Sequence, residues 1–151
     1  MIRIITVGTI KEKYLKDAIE EYLKRLKKYT NIELIEVKDE GLVEEQKAIN
    51  LEGEKINKYL SPKDYIITLE IEGKAFSSEE FASKLNQIQI ESSNIVFIIG
   101  GSYGLSDEIK SKAKLHLSFS KMTFPHQLFR VFLLEQIYRA YKIINNESYH
   151  K

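Results

Sequence analysis

Residues 95–104 read IVFIIGGSYG: five apolar residues run without a break into three glycines spread over five positions. A strand with one wet face alternates apolar and polar residues. The uninterrupted run Ile95 to Ile99 therefore predicts a strand covered on both faces, as in a parallel sheet with helices on either side. The glycines that follow, Gly100, Gly101 and Gly104, free the backbone to turn sharply and to approach a ligand closely, and ligands of such sheets collect at the carboxyl ends of strands. A turn that needs its glycines only for its own conformation fits the segment equally.

The flanking segments repeat the pattern in alternation. Ile2 to Val7, Ile32 to Val37, Tyr65 to Ile71 and Leu115 to Ser118 are short β-rich runs, the third closed by Gly73. Between them, Leu15, Ile19, Tyr22, Leu23 and Leu26 recur at helical spacing up to about Tyr29, and Ala48, Ile49, Ile56, Tyr59 and Leu60 form a weaker helical pattern ended by Pro62. Ser77 with Glu80 makes a capping box ahead of a third helix, Ser106 can cap a short fourth, and a long fifth runs from about Pro125 to Asn145. The order predicts an α/β fold with a mainly parallel sheet of five to six strands and helices on both faces.

At 151 residues the chain is the size of one domain, which predicts a single unit over 1–151. Cysteine is absent, excluding disulfides and thiolate metal sites. The three histidines are far apart in sequence, and no metal is expected. The start, MIRIITVG, lacks the features of a secretory leader, and no apolar run approaches a membrane span, so a cytoplasmic protein without membrane attachment is expected. The net charge of +1 is uneven: residues 1–60 balance, 61–109 hold 3 basic and 8 acidic residues, and 110–151 hold 8 basic and 2 acidic. The C-terminal end is thus the candidate surface for a polyanion.

No phosphate-loop, nucleophile-elbow, HExxH or GxGxxG motif occurs, and no acidic residue near position 120 stands where a dinucleotide fold would hold a ribose. The segment Phe119-Ser120-Lys121-Met122-Thr123-Phe124 leaves the last strand and enters the long helix at Pro125-His126. Its aromatics and Met can form an apolar slot edged by hydrogen-bonding groups, suited to an adenine, or can simply pack in the core. Of the 20 residues from His126 to Asn145, 12 are apolar and lie around most of the helix circumference, which predicts packing on the sheet on one side and on a second copy of the chain on the other.

His126 sits at a helix N-terminus, a place that favours the neutral ring and so a proton acceptor, although a structural histidine fits as well. Glu135 and Arg139 have the spacing of a helical ion pair. The closing residues Tyr149, His150 and Lys151 would by position alone be a frayed tail. From the residues, a non-enzymatic nucleotide-binding module and a small hydrolase using His126 both stay open. The last lacks an acidic partner near His126 in the local sequence.

LEIEGK (69–74), FIIGGSYG (97–104), LSFSKMTFPHQLFRVFLLEQIYRAYKI (117–143) and the closing YHK resemble the ribosomal large-subunit methyltransferase H family, within the SPOUT or α/β-knot methyltransferases. The likeness covers essentially the whole chain. It implies an S-adenosyl-L-methionine-dependent enzyme that methylates N3 of a pseudouridine in 23S rRNA on assembled ribosomes as a homodimer. It also implies a deep C-terminal trefoil knot. By matching positions the cofactor would fall on Leu69, Gly100 and the run Phe119, Ser120, Lys121, Met122, Thr123 and Phe124, with Gly101 and Gly104 completing the glycine turn. His126, Arg130 and His150 are the candidates for removing the N3 proton or stabilising the anion, and Arg139, Tyr149 and Lys151 for holding RNA. The tail is expected to order with the RNA. Transfer from a sulfonium needs no metal, so placement of the reacting atoms at roughly 3 to 3.5 Å would dominate catalysis.

Overall fold

Ten elements alternate along the chain in the computed structural model, which describes residues 1–151: β1 (Ile2–Val7), α1 (Lys13–Leu26), β2 (Ile32–Val37), α2 (Glu45–Asn57), β3 (Tyr65–Ala75), α3 (Ser78–Glu91), β4 (Ile95–Ile99), α4 (Asp107–Lys112), β5 (Leu115–Ser118) and α5 (His126–Ile144). The five strands, the lower of the expected counts, form one sheet in the order β2-β1-β4-β3-β5, and every pairing is parallel.

Period-2 alternation divides each strand between two apolar layers. Ile2 and Ile4 of β1 with Ile95, Phe97 and Ile99 of β4 face a large core closed by α1, α3 and α5. Ile5, Val7, Val96 and Ile98 face a smaller one closed by Ile56 of α2 and Ile109 of α4. All five residues of β4 are buried, which is why its sequence shows no polar face. No helix is long and apolar enough to cross a membrane.

Capping fixes several helix starts. Ser77 and Glu80 form the reciprocal capping box, and the Ser106 hydroxyl accepts from the Ile109 amide at 3.2 Å. Gly53, which only weakens α2 by propensity, has a packing reason: a Cβ there would lie 2.7 Å from Ser106 Oγ, so the glycine lets α2 approach α4.

The structure corrects three boundaries. Helix α1 stops at Leu26, and residues 27–29 form a turn. Pro125 precedes α5 as its N-cap, with ψ 133°, and is not its first helical residue. Strand β3 does not close at Gly73 but continues to Ala75. It pairs with β5 through Leu69↔Leu117, bulges over 70–73, and pairs again through Lys74↔Leu117. Gly73 is required in that bulge because a Cβ would lie 2.7 Å from the His116 carbonyl oxygen.

Helix α5 lies over the larger core between α1 and α3. Those neighbours account for much of its broad apolar arc within a single chain. Phe132, 36% exposed, is left at the outer edge.

Candidate active site

A cleft of about 400 Å³ opens at the carboxyl ends of β3, β4 and β5. This volume is within the range of small-molecule sites, and the position is the one that parallel sheets favour. Its walls are Leu69–Glu72 from the β3 bulge, the glycine turn 100–104 after β4, and the segment 119–124 after β5, with His126 and Phe129 of α5 closing one side. The structure thus brings together residues from all three segments singled out in the sequence. Lys121 of the last segment is exposed beside the cleft and is not among its lining residues.

The glycine turn is pinned by its own backbone. Gly104 donates its amide to the Gly101 carbonyl at 3.1 Å and has φ +88°. A Cβ on Gly100 would lie 2.8 Å from the Gly104 carbonyl carbon, and one on Gly101 would lie 3.0 Å from Val7 Cγ1. The turn's own conformation requires glycine at 100 and favours it at 104, whatever the cleft binds.

Phe119 and Phe124 both pack on Phe129, with ring centroids 4.8 and 6.0 Å away, and Phe124 meets Phe132 edge-on at 5.5 Å. These rings therefore pack together and line the cleft at once. Ser120 Oγ accepts from the Met122 amide at 3.0 Å, shaping the loop, and leaves Met122 72% exposed at the mouth.

His126 is half-buried in the wall. Burial pushes its imidazole below the ordinary value; the Asp39 carboxylate opposes the fall and the Arg130 charge adds to it. No carboxylate hydrogen-bonds to His126; Asp39 of the loop after β2 acts on it only through its charge. Arg130, one turn on, is 3% exposed and turned inward. It donates to Glu36 at 2.5 Å and to the Gly8 carbonyl at 2.7 Å, while Ile10 donates its amide to the same Glu36 oxygen at 3.2 Å. Arg130 thereby ties α5 to β2 and to the loop after β1, and it does not line the cleft.

A second polar group went unnoticed in the sequence. Glu70 in the cleft wall accepts from Thr68 Oγ1 at 2.6 Å, bonds to His116 Nδ1, and lies 3.7 Å from Lys110 Nζ. Burial works against the carboxylate, yet the bonds from Thr68 and His116, with the nearby positive charge, outweigh it and hold the pKa low. The register pair Thr68↔His116 makes this contact, 48 positions apart in the chain, and no local motif signals it.

The tail is not frayed. Tyr149 donates to Glu135 at 2.8 Å, the Arg139 guanidinium lies 4.7 Å over the Tyr149 ring and donates to Glu135 at 2.7 Å, and His150 bridges Arg139 at 3.1 Å and Glu79 at 2.6 Å. Upstream, Glu147 is gripped by Tyr29 at 2.7 Å, Lys28 at 3.1 Å and Lys142 at 3.4 Å. The tail is ordered by its own chain, contrary to the expectation that it orders with RNA. Arg139, Tyr149 and His150 cluster some thirteen residues along α5 from His126, about 20 Å at 1.5 Å per residue. Lys151 is exposed beside them. Much of the basic C-terminal charge is spent within the chain, since Arg130, Arg139 and Lys142 each have a carboxylate partner.

A family profile described as "Predicted SPOUT methyltransferase" matches residues 1–150. The chain belongs to the SPOUT methyltransferase family. Among curated relatives of this SPOUT chain, the ribosomal RNA large subunit methyltransferase H of Clostridium acetobutylicum is 50% identical, with 99% of each chain covered. That of Caldicellulosiruptor saccharolyticus is also 50% identical, with both chains covered completely. A solved structure of a probable methylase family protein from Haemophilus influenzae Rd KW20 superposes with a TM-score of 0.56 at 17% identity. It covers 99% of this chain and 70% of that one, and it speaks to the fold of the SPOUT chain alone.

Proposed function

We propose that this chain, as a single domain over 1–151 in the cytoplasm, methylates N3 of a pseudouridine in 23S rRNA of assembled ribosomes, with S-adenosylmethionine as methyl donor. The cleft carries this reading: a glycine-edged, aromatic-walled site at the strand ends, in a chain half identical to large-subunit methyltransferases along its whole length.

The residues fit the donor by their chemistry. Phe119, Phe124 and Phe129 offer ring faces to an adenine, the glycine turn offers main-chain groups unobstructed by side chains, and Glu70 with Glu72 sets negative charge beside a site for a cationic ligand. When bound, S-adenosylmethionine supplies an electrophilic methyl carbon on a sulfonium. Leu69, Gly100, Phe119, Ser120 and residues 122–124 would orient it, and the apolar walls would exclude water. His126, kept neutral by burial, accepts the N3 proton of the base. Arg130 acts by holding α5, and through it His126, against the first two strands.

The reading extends to a homodimer and a trefoil knot. Membership of the SPOUT family supports the knot. The exposed edge of Phe132 supports an α5 contact with a second copy. Arg139, Tyr149, His150 and Lys151, held far from their own cleft, would then serve RNA at the partner's. The deciding experiment measures labelled methyl incorporation from S-adenosylmethionine into ribosomes, with free rRNA as control. Label at N3 of a pseudouridine in 23S rRNA is the expected result, and absence of label with correctly folded protein overturns the reading.

A further inference from the structure

Behind the glycine turn lies a carboxylate that the proposed methyl transfer does not use. Glu52 of α2 is 3% exposed. Its Oε2 accepts the Glu40 amide at 2.9 Å, while its Oε1 is buried without a hydrogen-bond partner. That orphan oxygen lies 3.4 Å from where a Cβ of Gly101 would sit, so Glu52 backs the cleft wall at Gly101.

The groups facing Glu52 can be named. Asp39, itself capped by the Gly41 amide at 2.6 Å, places a second carboxylate near Glu52; Glu40 and Lys55 pair with each other beside it; Val7 and Gly101 bring no charge. An ionised oxygen without a donor in a dry site is costly, and a neighbouring carboxylate raises that cost. Burial and the Asp39 charge both push the Glu52 carboxyl up, against the Glu40 amide and Lys55.

We propose that Glu52 is the positioning residue of the glycine turn: it joins the 39–41 loop to the back of Gly101 and holds the cleft wall in its ligand-ready shape. The inference rests on the proposed use of that cleft for S-adenosylmethionine. Ionising Glu52 places a second negative charge beside Asp39 and pushes the loop and the turn apart.

The test compares wild type, Glu52→Gln and Glu52→Ala by calorimetric titration with S-adenosylmethionine from the ordinary carboxyl range up to pH 9 and by thermal unfolding without ligand. Wild type should lose affinity and stability as pH rises. A carboxyl whose folded pKa is raised stabilises the fold below its unfolded value and loses that contribution as pH climbs through the folded one. Glu52→Gln, neutral and similar in shape, should bind within about twofold of wild type at the acid end of the range and lose the Glu52-linked part of the decline with rising pH. Glu52→Ala should bind about tenfold more weakly, with a raised KM for S-adenosylmethionine and little change in kcat. Glu52→Gln as weak as Glu52→Ala, or a decline that persists unchanged in Glu52→Gln, overturns the proposal. If Glu52→Ala does not fold, the Gln comparison still decides. A wild-type protein that binds no S-adenosylmethionine at any pH defeats the cleft assignment itself.

Discussion

Arg130 of α5 and Glu36 of β2, 94 positions apart, form a 2.5 Å ion pair in which the arginine side chain is almost wholly enclosed and the glutamate is partly open to solvent. The same guanidinium also holds the Gly8 carbonyl, at a glycine with φ +99°. Removing it leaves the Gly8 carbonyl without its side-chain donor and the partly buried Glu36 carboxylate with only the Ile10 amide. Arg130→Ala should therefore cost about 2 to 3 kcal/mol, because one side of the pair remains hydrated, and should lower the Tm by about 5 to 10 °C. Calorimetric melting checks this. An unchanged Tm would release Arg130 from its structural part and return it to the candidates for touching substrate.

The glycine turn allows a graded comparison. Gly100→Ala drives a Cβ into the Gly104 backbone, whereas Gly101→Ala meets only side chains, Val7 at 3.0 Å and Glu52 at 3.4 Å, and Gly104→Ala strains a positive φ without a clash. S-adenosylmethionine affinity should fall most for Gly100→Ala, and Gly104→Ala should cost about 1 kcal/mol of stability. Titration and melting of the three variants would read both. Equal affinity in all three would mean that the turn does not face the ligand.

The alternation of elements was legible because Ile95–Ile99 and Ile2–Val7 are buried on both faces and because Ser77, Glu80 and Ser106 act within four residues of themselves. Local chemistry of that kind is written locally. The continuation of β3 to Ala75 was not, since Glu70-Ile71-Glu72-Gly73 carries the composition of a turn, and only Leu117 of β5 reveals that pairing resumes. The three cleft segments were found, but the polar groups that tune them were not. Asp39 near His126, Glu70 on His116 and Glu52 behind Gly101 all depend on strand order, which no periodicity encodes. For Arg130 the residue type drew the eye, and burial decided its use.

The tail has a built-in acid sensitivity. Tyr29 and Lys28 bind the Glu147 carboxylate, and Lys142 adds to them, holding its pKa at about 2. A depressed carboxylate contributes its stabilisation above the unfolded value near 4.3 and loses it as pH falls toward the folded one. The ring resonances of Tyr149 should broaden or shift between about pH 4 and pH 2, while those of buried Phe97 persist to lower pH. Glu147→Gln should show the released spectrum already at neutral pH. Nuclear magnetic resonance titration of both proteins would check it, and a Tyr149 signal indifferent to Glu147 would place the anchor elsewhere.

The final prediction separates a tail that serves its own cleft from one that serves its neighbour's. Tyr149 and His150 are clamped to Glu135, Arg139 and Glu79, about 20 Å along α5 from His126, so three terminal residues do not span the distance within one chain. Deleting Tyr149 to Lys151 should leave S-adenosylmethionine affinity intact and reduce methyl transfer to ribosomes by orders of magnitude, since a base stacked on an aromatic and a phosphate met by lysine are each worth about 1 to 3 kcal/mol when well placed. Gly100→Val should be inactive for the opposite reason, keeping its tail and losing its cleft. Mixing the two proteins in equal amounts under exchanging conditions makes half of the dimers mixed, and each mixed dimer pairs one intact cleft with the neighbour's intact tail. The mixture should then recover about a quarter of the wild-type rate. If each tail served its own cleft, every site in the mixture would lack one part, and the measured rate would stay at the level of the separate variants.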